Sequence, residues 1–380
     1  MRAFKRGALT LAAVVGWVVI LAQPASAHTV SGIGATNWKT VVTGVSPQVP
    51  GLTVTQVEDG SRVEITNHGP EVLILGYQGE PYLRVGPQGV FENRQSPSVY
   101  LNCSRTGCAV PPGLDVFGPP QWRKISSGQV VRYHDHRTHW MGTQLPPDIA
   151  RAQGRVHVEA SWHIMMVQGS TPITVSGYYV WIPGTSSVPW LLVAGALAAG
   201  GLALGVFAKW GAPLAAALVV LTINDIYHSI AIAGFWSGDL QYKVAQWFSG
   251  SWYSIVGWLL GLVGAWMLVR RKVDGLYAAV FAGGSALLFT GLLDNTVLSR
   301  SQVPFTASVA ADRVTVVISL GLGLGVTLAA LIGIRRSKPA LPVTLDPATP
   351  VEAEPGLVEA GPVLGEEPGA DLDADLDGVA

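Results

Sequence analysis

The stretch LTVTQVEDGSRVEITNHGPEVLILGY, residues 52–77, decides how the first half of this chain folds. Two turn sequences divide it, Asp59-Gly60 and the NHGP run at 67–70. Runs rich in Val, Ile, Leu and Thr that are bounded by such residues are typical of β-strands, and Asp-Gly is typical of a hairpin turn. The sequence therefore predicts three short strands, at 52–58, 61–67 and 72–77.

Similar runs continue to about residue 189, and no amphipathic helix interrupts them. Strands of this length and spacing build two packed antiparallel sheets. We therefore predict an all-β domain over residues 28–189, a sandwich of immunoglobulin or cupredoxin-like architecture. Its further strands are expected at 81–85, 99–102, 129–136, 156–167 and 173–181.

The first 27 residues have the pattern of a secretory signal peptide. Basic residues near the start precede an apolar core at 9–22 and the A-x-A cleavage sequence at 25–27. The β-domain is therefore expected outside the cytoplasm. Cleavage after Ala27 makes His28 the first residue, and its α-amino group and ring Nδ1 can chelate one Cu(II) ion together. The alternative is that His28 follows the cleavage site by chance.

The composition indicates a membrane protein, since 49% of the 380 residues are hydrophobic and only 13% are charged. We predict a helical domain over residues 190–334 that crosses the membrane five times. A disordered acidic tail is expected over 335–380, where large apolar residues are scarce. The predicted spans are 190–208, 212–233, 252–269, 276–298 and 314–334.

Basic residues cluster in the connections after the first, third and fifth spans, at Lys209, 270–272 and 335–338. The positive-inside rule places these connections in the cytoplasm. We therefore predict a multi-pass plasma membrane protein with the β-domain outside, the tail inside and the lipid bilayer as its first partner. No P-loop, dinucleotide fingerprint or nucleophile elbow occurs, so ATPase, dehydrogenase and conventional hydrolase functions are unsupported. No nucleic-acid partner is predicted.

The stretch YHDHRTHWM, residues 133–141, holds three of the eight histidines. If a strand continues through it, His134 and His136 share one face while Asp135 and Arg137 share the other. Imidazoles about 7 Å apart along one face can close on one metal ion, with His139 as a further ligand. The alternative is a polar strand end with a surface ion pair between Asp135 and Arg137.

Sulfur-bearing residues offer two further interpretations. Met141, His163 and Met165 form either a second soft-metal site or, for the strand around His163, ordinary packing with Met filling gaps. Cys103 and Cys108 are predicted to form a disulfide outside the cytoplasm, with a soft copper site as the alternative.

The second and fourth spans carry polar residues near their predicted outer ends. In a helix, Asp225 and His228 lie three residues apart on one face. If the two helical hairpins are weak repeats, one outward-facing pocket forms that can pass a cation or protons. The alternative is that these groups only hold helices together. The predicted pocket residues are Asn224, Asp225, His228, Asp294 and Asn295.

The signal peptide, the N-terminal His, the β-sandwich with His-x-His and the helical domain together resemble the CopC-CopD type of bacterial copper-handling protein. In that family the mature N-terminal His and a later Asp-x-His supply copper ligands. The resemblance assigns these roles to His28 and to either Asp135 or the neighbouring imidazoles. His28, His134 and His136 also resemble the copper site in the B subunit of particulate methane mono-oxygenase.

We therefore expect an extracytoplasmic copper-binding protein that captures copper and delivers it to or across the membrane, with zinc as the alternative metal. A cuproprotein or a cell-envelope complex is the expected protein partner. One alternative is a non-transporting membrane-anchored module whose histidines sense metal or pH. Another is a copper mono-oxygenase-like enzyme.

Overall fold

A computed structural model of the chain describes residues 34–104, 107–207 and 211–337. The predicted signal peptide, His28 and residues 338–380 of the predicted tail lie outside the described residues. The strands are β1 (Trp38–Ser46), β2 (Leu52–Val57), β3 (Arg62–Asn67), β4 (Val72–Leu75), β5 (Pro81–Gly86), β6 (Gly89–Asn93), β7 (Trp122–Ser126), β8 (Val130–Tyr133), β9 (His157–Gln168) and β10 (Thr171–Trp181).

The strands form two antiparallel sheets over one core. A seven-stranded sheet has the order β1-β10-β9-β4-β5-β6-β7, and a three-stranded sheet has the order β2-β3-β8. Alternate residues of both sheets face inward, as the period of a half-buried strand requires. Val63 and Ile65 of β3 meet Ile74 of β4 and Ile164 of β9 in this core, and all four are fully buried. The three strands predicted from residues 52–77 are confirmed.

One predicted strand is wrong, because residues 99–102 belong largely to a short helix, α1 (Pro97–Leu101). The Ser96 side chain caps this helix by accepting a hydrogen bond from the Ser98 amide at 3.2 Å. Proline at the first helical position and serine before it are a strong helix start. A second short helix, α2 (Pro147–Arg151), also interrupts the strands. The sequence prediction missed β1, β6 and β7.

The hairpin turn between β2 and β3 has an unusual backbone. Glu58, Asp59 and Gly60 have φ angles of 56°, 54° and 86°, so three successive residues are left-handed. Such a conformation is costly for residues other than glycine and persists only where the surroundings hold it. Here Arg62 donates two hydrogen bonds to the buried Glu58 carboxylate.

Within the described residues, five helices are long and apolar enough to cross a membrane, as predicted. The fourth differs from its prediction because it is not one regular helix over 276–298. It continues as a π-helix at Leu287–Leu292, turns near Asp294 and ends in a 3₁₀ turn at Asn295–Leu298. The helices are α3 (Val188–Phe207), α4 (Ala212–Phe235), α5 (Leu240–Val269), α6 (Asp274–Ala286) and α7 (Val309–Ser337).

Small residues bring the first and last spans close together. A Cβ atom on Gly205 of α3 would lie 2.3 Å from the Ala329 Cβ of α7, and one on Gly201 would lie 3.1 Å from the Gly325 Cα. Helices in lipid associate by such close backbone approach, because apolar burial alone gives little preference for helix over lipid.

The sheets and the helices form one compact unit. Thr36, before β1, makes two backbone hydrogen bonds with Gln302, which precedes α7. Ser301 donates its amide to Asn37 Oδ1 at 2.9 Å. On another side, the Ser237 amide after α4 donates to Glu58 Oε1 at 3.0 Å. The β-domain therefore sits against the ends of several spans at once.

Glu80, at the turn before β5, provides a test of the β-domain core. Its carboxylate accepts hydrogen bonds from Ser96 Oγ at 2.6 Å, Ser98 Oγ at 2.7 Å and the Gln78 amide at 2.9 Å. We expect Glu80→Ala to lower the free energy of unfolding by about 2–4 kcal/mol, because buried donors lose a charged acceptor. Thermal unfolding of the purified full-length protein measures this change.

The pH dependence of the stability that Glu80 contributes can be measured in the same way. Burial alone would raise the pKa of Glu80, but the hydrogen bonds outweigh burial and lower it below its ordinary 4.5. The stabilisation is therefore complete above about pH 4.5 and is lost as the pH falls through the folded-state pKa. Glu71→Ala is the control, since Glu71 forms only a half-exposed pair with Arg84 at 3.5 Å. Equal destabilisation in both variants would contradict the prediction.

Candidate metal centre and intramembrane polar cluster

The histidine stretch leaves the sheet earlier than the sequence predicted. Strand β8 ends at Tyr133, and His136–Thr138 forms a 3₁₀ turn. Asp135 caps this turn by accepting the Arg137 amide at 3.0 Å. The alternation argument for His134 and His136 is therefore wrong, because a local capping interaction competes with the strand.

A buried ion pair fixes the turn. Arg137 donates Nε to Asp135 Oδ1 at 2.9 Å and Nη2 to Oδ2 at 2.8 Å. Its guanidinium also lies over the Tyr77 ring, 4.8 Å from the centroid. Burial alone would lower the pKa of Arg137, but the hydrogen bonds and charge of Asp135 raise it above its ordinary value. Asp135 is fully buried and positions the turn that carries the histidines. The alternative interpretation placed its ion pair with Arg137 at the surface, whereas the pair is largely buried.

The turn gathers the three imidazole rings. The ring centroid of His134 lies 4.3 Å from that of His139 and 5.2 Å from that of His136, and the remaining pair is 5.9 Å apart. His134 Nδ1 lies 2.6 Å from the Ser61 carbonyl oxygen. A hydrogen bond from one ring nitrogen to a carbonyl is how proteins orient a metal-binding histidine. His134 would then bind a metal through Nε2.

The other two rings have contacts of their own. His136 Nε2 lies 3.2 Å from the Ser104 carbonyl oxygen, and His139 Nδ1 lies 3.4 Å from Thr138 Oγ1. Within residues 34–104, 107–207 and 211–337, no three or more His, Cys, Asp or Glu side chains form a group that could hold a metal ion. The rings are adjacent, and metal binding by them stays a prediction.

The sulfur-bearing residues have separate surroundings. Cys103 and Cys108 form a disulfide with Cα atoms 5.9 Å apart, as predicted. His163 and Met165 share the exposed face of β9, where each contacts the residue opposite it on β10, Ser176 at 3.1 Å and Thr174 at 3.5 Å. Met141 is exposed in the segment that follows the 3₁₀ turn. These contacts fit strand packing.

A second polar cluster lies between the spans. Asp225 of α4 accepts hydrogen bonds from Trp258 Nε1 of α5 at 2.6 Å and from the Thr290 hydroxyl of the π-helix. His228, one turn later, lies 3.1 Å from Asp294 Oδ2 through Nε2. Its Nδ1 lies 3.3 Å from Asp312 Oδ1 of α7.

Four of the five predicted pocket residues are buried between the spans, and two of them, Asp225 and His228, line a cavity. Asn224 contacts α7, donating to the Thr315 carbonyl and to Ser319 Oγ, both at 3.0 Å. Asn295 is exposed and does not line the pocket, since the chain turns after Asp294. The prediction for Asn295 is therefore wrong.

Sequence reasoning missed the partners of this cluster, which are Trp258, Thr290, Asp312, Thr315 and Ser319. The sequence Asp312-Arg313 at the start of a long apolar run could have indicated a further member of the cluster, because ionisable residues in spans are costly and usually functional.

Each cluster contributes residues to the lining of a cavity. The first, of about 520 Å³, is lined by His134, Arg62 and Tyr133 among others. The second, of about 40 Å³, is lined by Asp225 and His228. Trp236 and Gln246 line both cavities, so the two adjoin at the corner between α4 and α5.

Comparisons with protein-family models, with curated proteins and with solved structures find no match. The function must therefore be inferred from the two clusters and the cavities between them.

Asp135→Asn tests the positioning role of the buried pair. Asparagine retains the shape but leaves the Arg137 guanidinium without its carboxylate, which costs about 3 kcal/mol for a largely buried pair. We expect a lower unfolding temperature and faster proteolysis near residues 136–141 in the purified protein. Asp148→Asn is the matched control, because the Asp148 pair with Arg151 is exposed at 3.9 Å. An unchanged unfolding temperature in Asp135→Asn would contradict the role.

Proposed function

We propose that this protein captures copper at the histidine cluster of its β-domain and delivers it to or across the membrane. The observation that carries the proposal is the set of three adjacent imidazole rings, with His134 oriented by the Ser61 carbonyl. Copper is the cargo in this proposal.

The chemistry of the donors favours copper. Imidazole nitrogen suits copper and zinc, and copper binds such sites more tightly in the divalent series. His28 would add its α-amino group and ring nitrogen. Buried Asp135 is committed to Arg137, so the resemblance to CopC-CopD proteins is carried here by the imidazoles and not by a carboxylate ligand.

The proposed setting is the outer face of the plasma membrane. The basic connections after the first, third and fifth spans support a cytoplasmic location for that end of the bundle. The β-domain contacts the opposite ends of the spans, at Ser237 and Ser301. We propose an immunoglobulin or cupredoxin-like identity for this domain from its two antiparallel sheets.

The adjoining cavities support delivery and not anchoring alone. His134 lines the larger cavity, and Trp236 and Gln246 line both it and the intramembrane cavity. A purely anchoring bundle has no need of buried ionisable groups, which cost at least about 2.5 kcal/mol each in a span.

Copper binding to the purified full-length protein tests the proposal. We expect His134→Ala to weaken Cu(II) binding by about tenfold or more, since a ligand oriented by the backbone is lost. Extending the mature end by one Ala before His28 should weaken binding similarly, because the amino group leaves the chelate ring. Titration with a competing chelator measures both affinities.

His68→Ala and His157→Ala are matched controls, because these rings contact Gln129 and the Ala152 carbonyl oxygen away from the cluster. Both should bind copper as the unmodified protein does. Absence of copper binding, or equal loss in all four variants, would contradict the proposal. Tighter binding of Zn(II) than of Cu(II) would assign zinc as the cargo.

A further inference from the structure

The intramembrane cluster has more acidic than basic groups. Asp225, Asp294 and Asp312 are all buried. His228 lies between Asp294 and Asp312, and Arg313 follows Asp312 while donating to two backbone carbonyls. If all three carboxyl groups are ionised and both basic groups are charged, one negative charge remains among these five described residues. A buried charge without a counter-ion is strongly unfavourable in a span.

Asp225 is the carboxylate placed beside open space. Both its oxygens accept hydrogen bonds, and Trp258 can only donate, which suits an ionised carboxylate. The adjoining cavity of about 40 Å³ is large enough for an ion with a water molecule. Its other polar groups are mostly hydroxyls, from Ser229, Ser249, Ser251, Tyr253, Ser254 and Thr290.

Two buried oxygens of the intramembrane cluster lack hydrogen bonds within the described part of the chain, and one of them belongs to a residue that lines this cavity. Tyr253 Oη is one, and it belongs to a residue that lines the cavity. Oδ2 of the fully buried Asp312 is the other, next to the His228 contact. Buried oxygens of this kind normally have a partner, so their lone pairs indicate room for a further ligand.

The backbone at the same level is interrupted. Thr290 lies in the π-helix, where Leu293 donates its amide to the Leu288 carbonyl five residues earlier at 3.1 Å. π-helical turns occur mostly at functional sites. Membrane proteins tolerate interrupted spans where the backbone lines a cavity, and ion-coupled transporters bind Na⁺ at such interruptions.

We infer that the cavity beside Asp225 is a binding site for a hard monovalent cation, Na⁺, which neutralises the excess charge. Carboxylate and hydroxyl oxygens suit a hard cation, whereas the imidazoles of the β-domain suit copper. The two ends of the cavity system thus take different ions. In the proposed copper delivery Na⁺ would be the coupling ion, but its binding does not depend on copper.

Thermal unfolding of the full-length protein in lipid nanodiscs tests this inference, with NaCl exchanged for choline chloride at constant ionic strength. An ion that binds only the folded state raises the unfolding temperature in proportion to the logarithm of its concentration above Kd. We expect a rise of several degrees with Na⁺ and bound radioactive Na⁺ near one ion per chain. Asp225→Asn should abolish both effects.

Ser254→Ala removes one hydroxyl without touching a charge, and it should weaken Na⁺ binding by about tenfold while the protein stays folded. Asp274→Asn is the control, since Asp274 is exposed at the other end of the fourth span, and it should retain the full Na⁺ effect.

Unfolding temperatures that are equal in NaCl and choline chloride, with no bound Na⁺, would overturn the inference and leave a proton as the counter-charge. Retention of the Na⁺ effect in Asp225→Asn would also overturn it. Copper binding by the histidine cluster is measured separately, so either proposal can fail alone.

Discussion

The hydrogen bonds that the buried Glu58 carboxylate accepts connect the β-domain to the helical half of the molecule. It accepts two hydrogen bonds from Arg62 within its own hairpin turn and one from the Ser237 amide at the end of the second span. The same turn supplies the Ser61 carbonyl that orients His134. This left-handed turn therefore connects the β-domain to the helices through Ser237. It also contacts His134 of the histidine cluster and, through Arg62, Trp236 at the corner between α4 and α5.

The membrane half follows from the cost of unsatisfied polar groups in lipid. Asp225 obtains donors from the third and fourth spans, while His228 obtains carboxylates from the fourth and fifth. Each contact needs a particular rotation of a helix, so the cluster specifies how the spans pack. Gly291, next to Thr290, permits a close approach of the fourth span to the fifth, since an added Cβ atom would lie 3.0 Å from the Leu320 nitrogen.

The two clusters offer different chemistry beside two cavities that share Trp236 and Gln246 in their lining. Nitrogen donors of the histidine turn suit copper, and oxygen donors beside Asp225 suit a hard ion. Trp236 lies between them, with the Arg62 guanidinium 5.6 Å from its ring centroid. Because Arg62 is also held by Glu58, the hairpin turn is linked through Arg62 to a residue that lines both cavities.

The sequence by itself determined the five membrane-length apolar helices found among the described residues, the strand-rich first half and the pairing of Cys103 with Cys108. These features depend on composition and on the spacing of residues close together in the chain, so they can be predicted without knowing any distant contact. It also placed Asp225 and His228 on one helical face with Asp294 at a similar height, and in the structure Asp294 contacts His228. The prediction that Asn295 lines the pocket is wrong, since the chain turns after Asp294 and such a turn depends on packing. Tertiary structure alone supplied Asp312, Trp258 and Thr290 as partners. It also replaced the predicted strand through His136 by a capped turn, because Asp135 accepts hydrogen bonds from both the amide and the guanidinium of Arg137 in that turn.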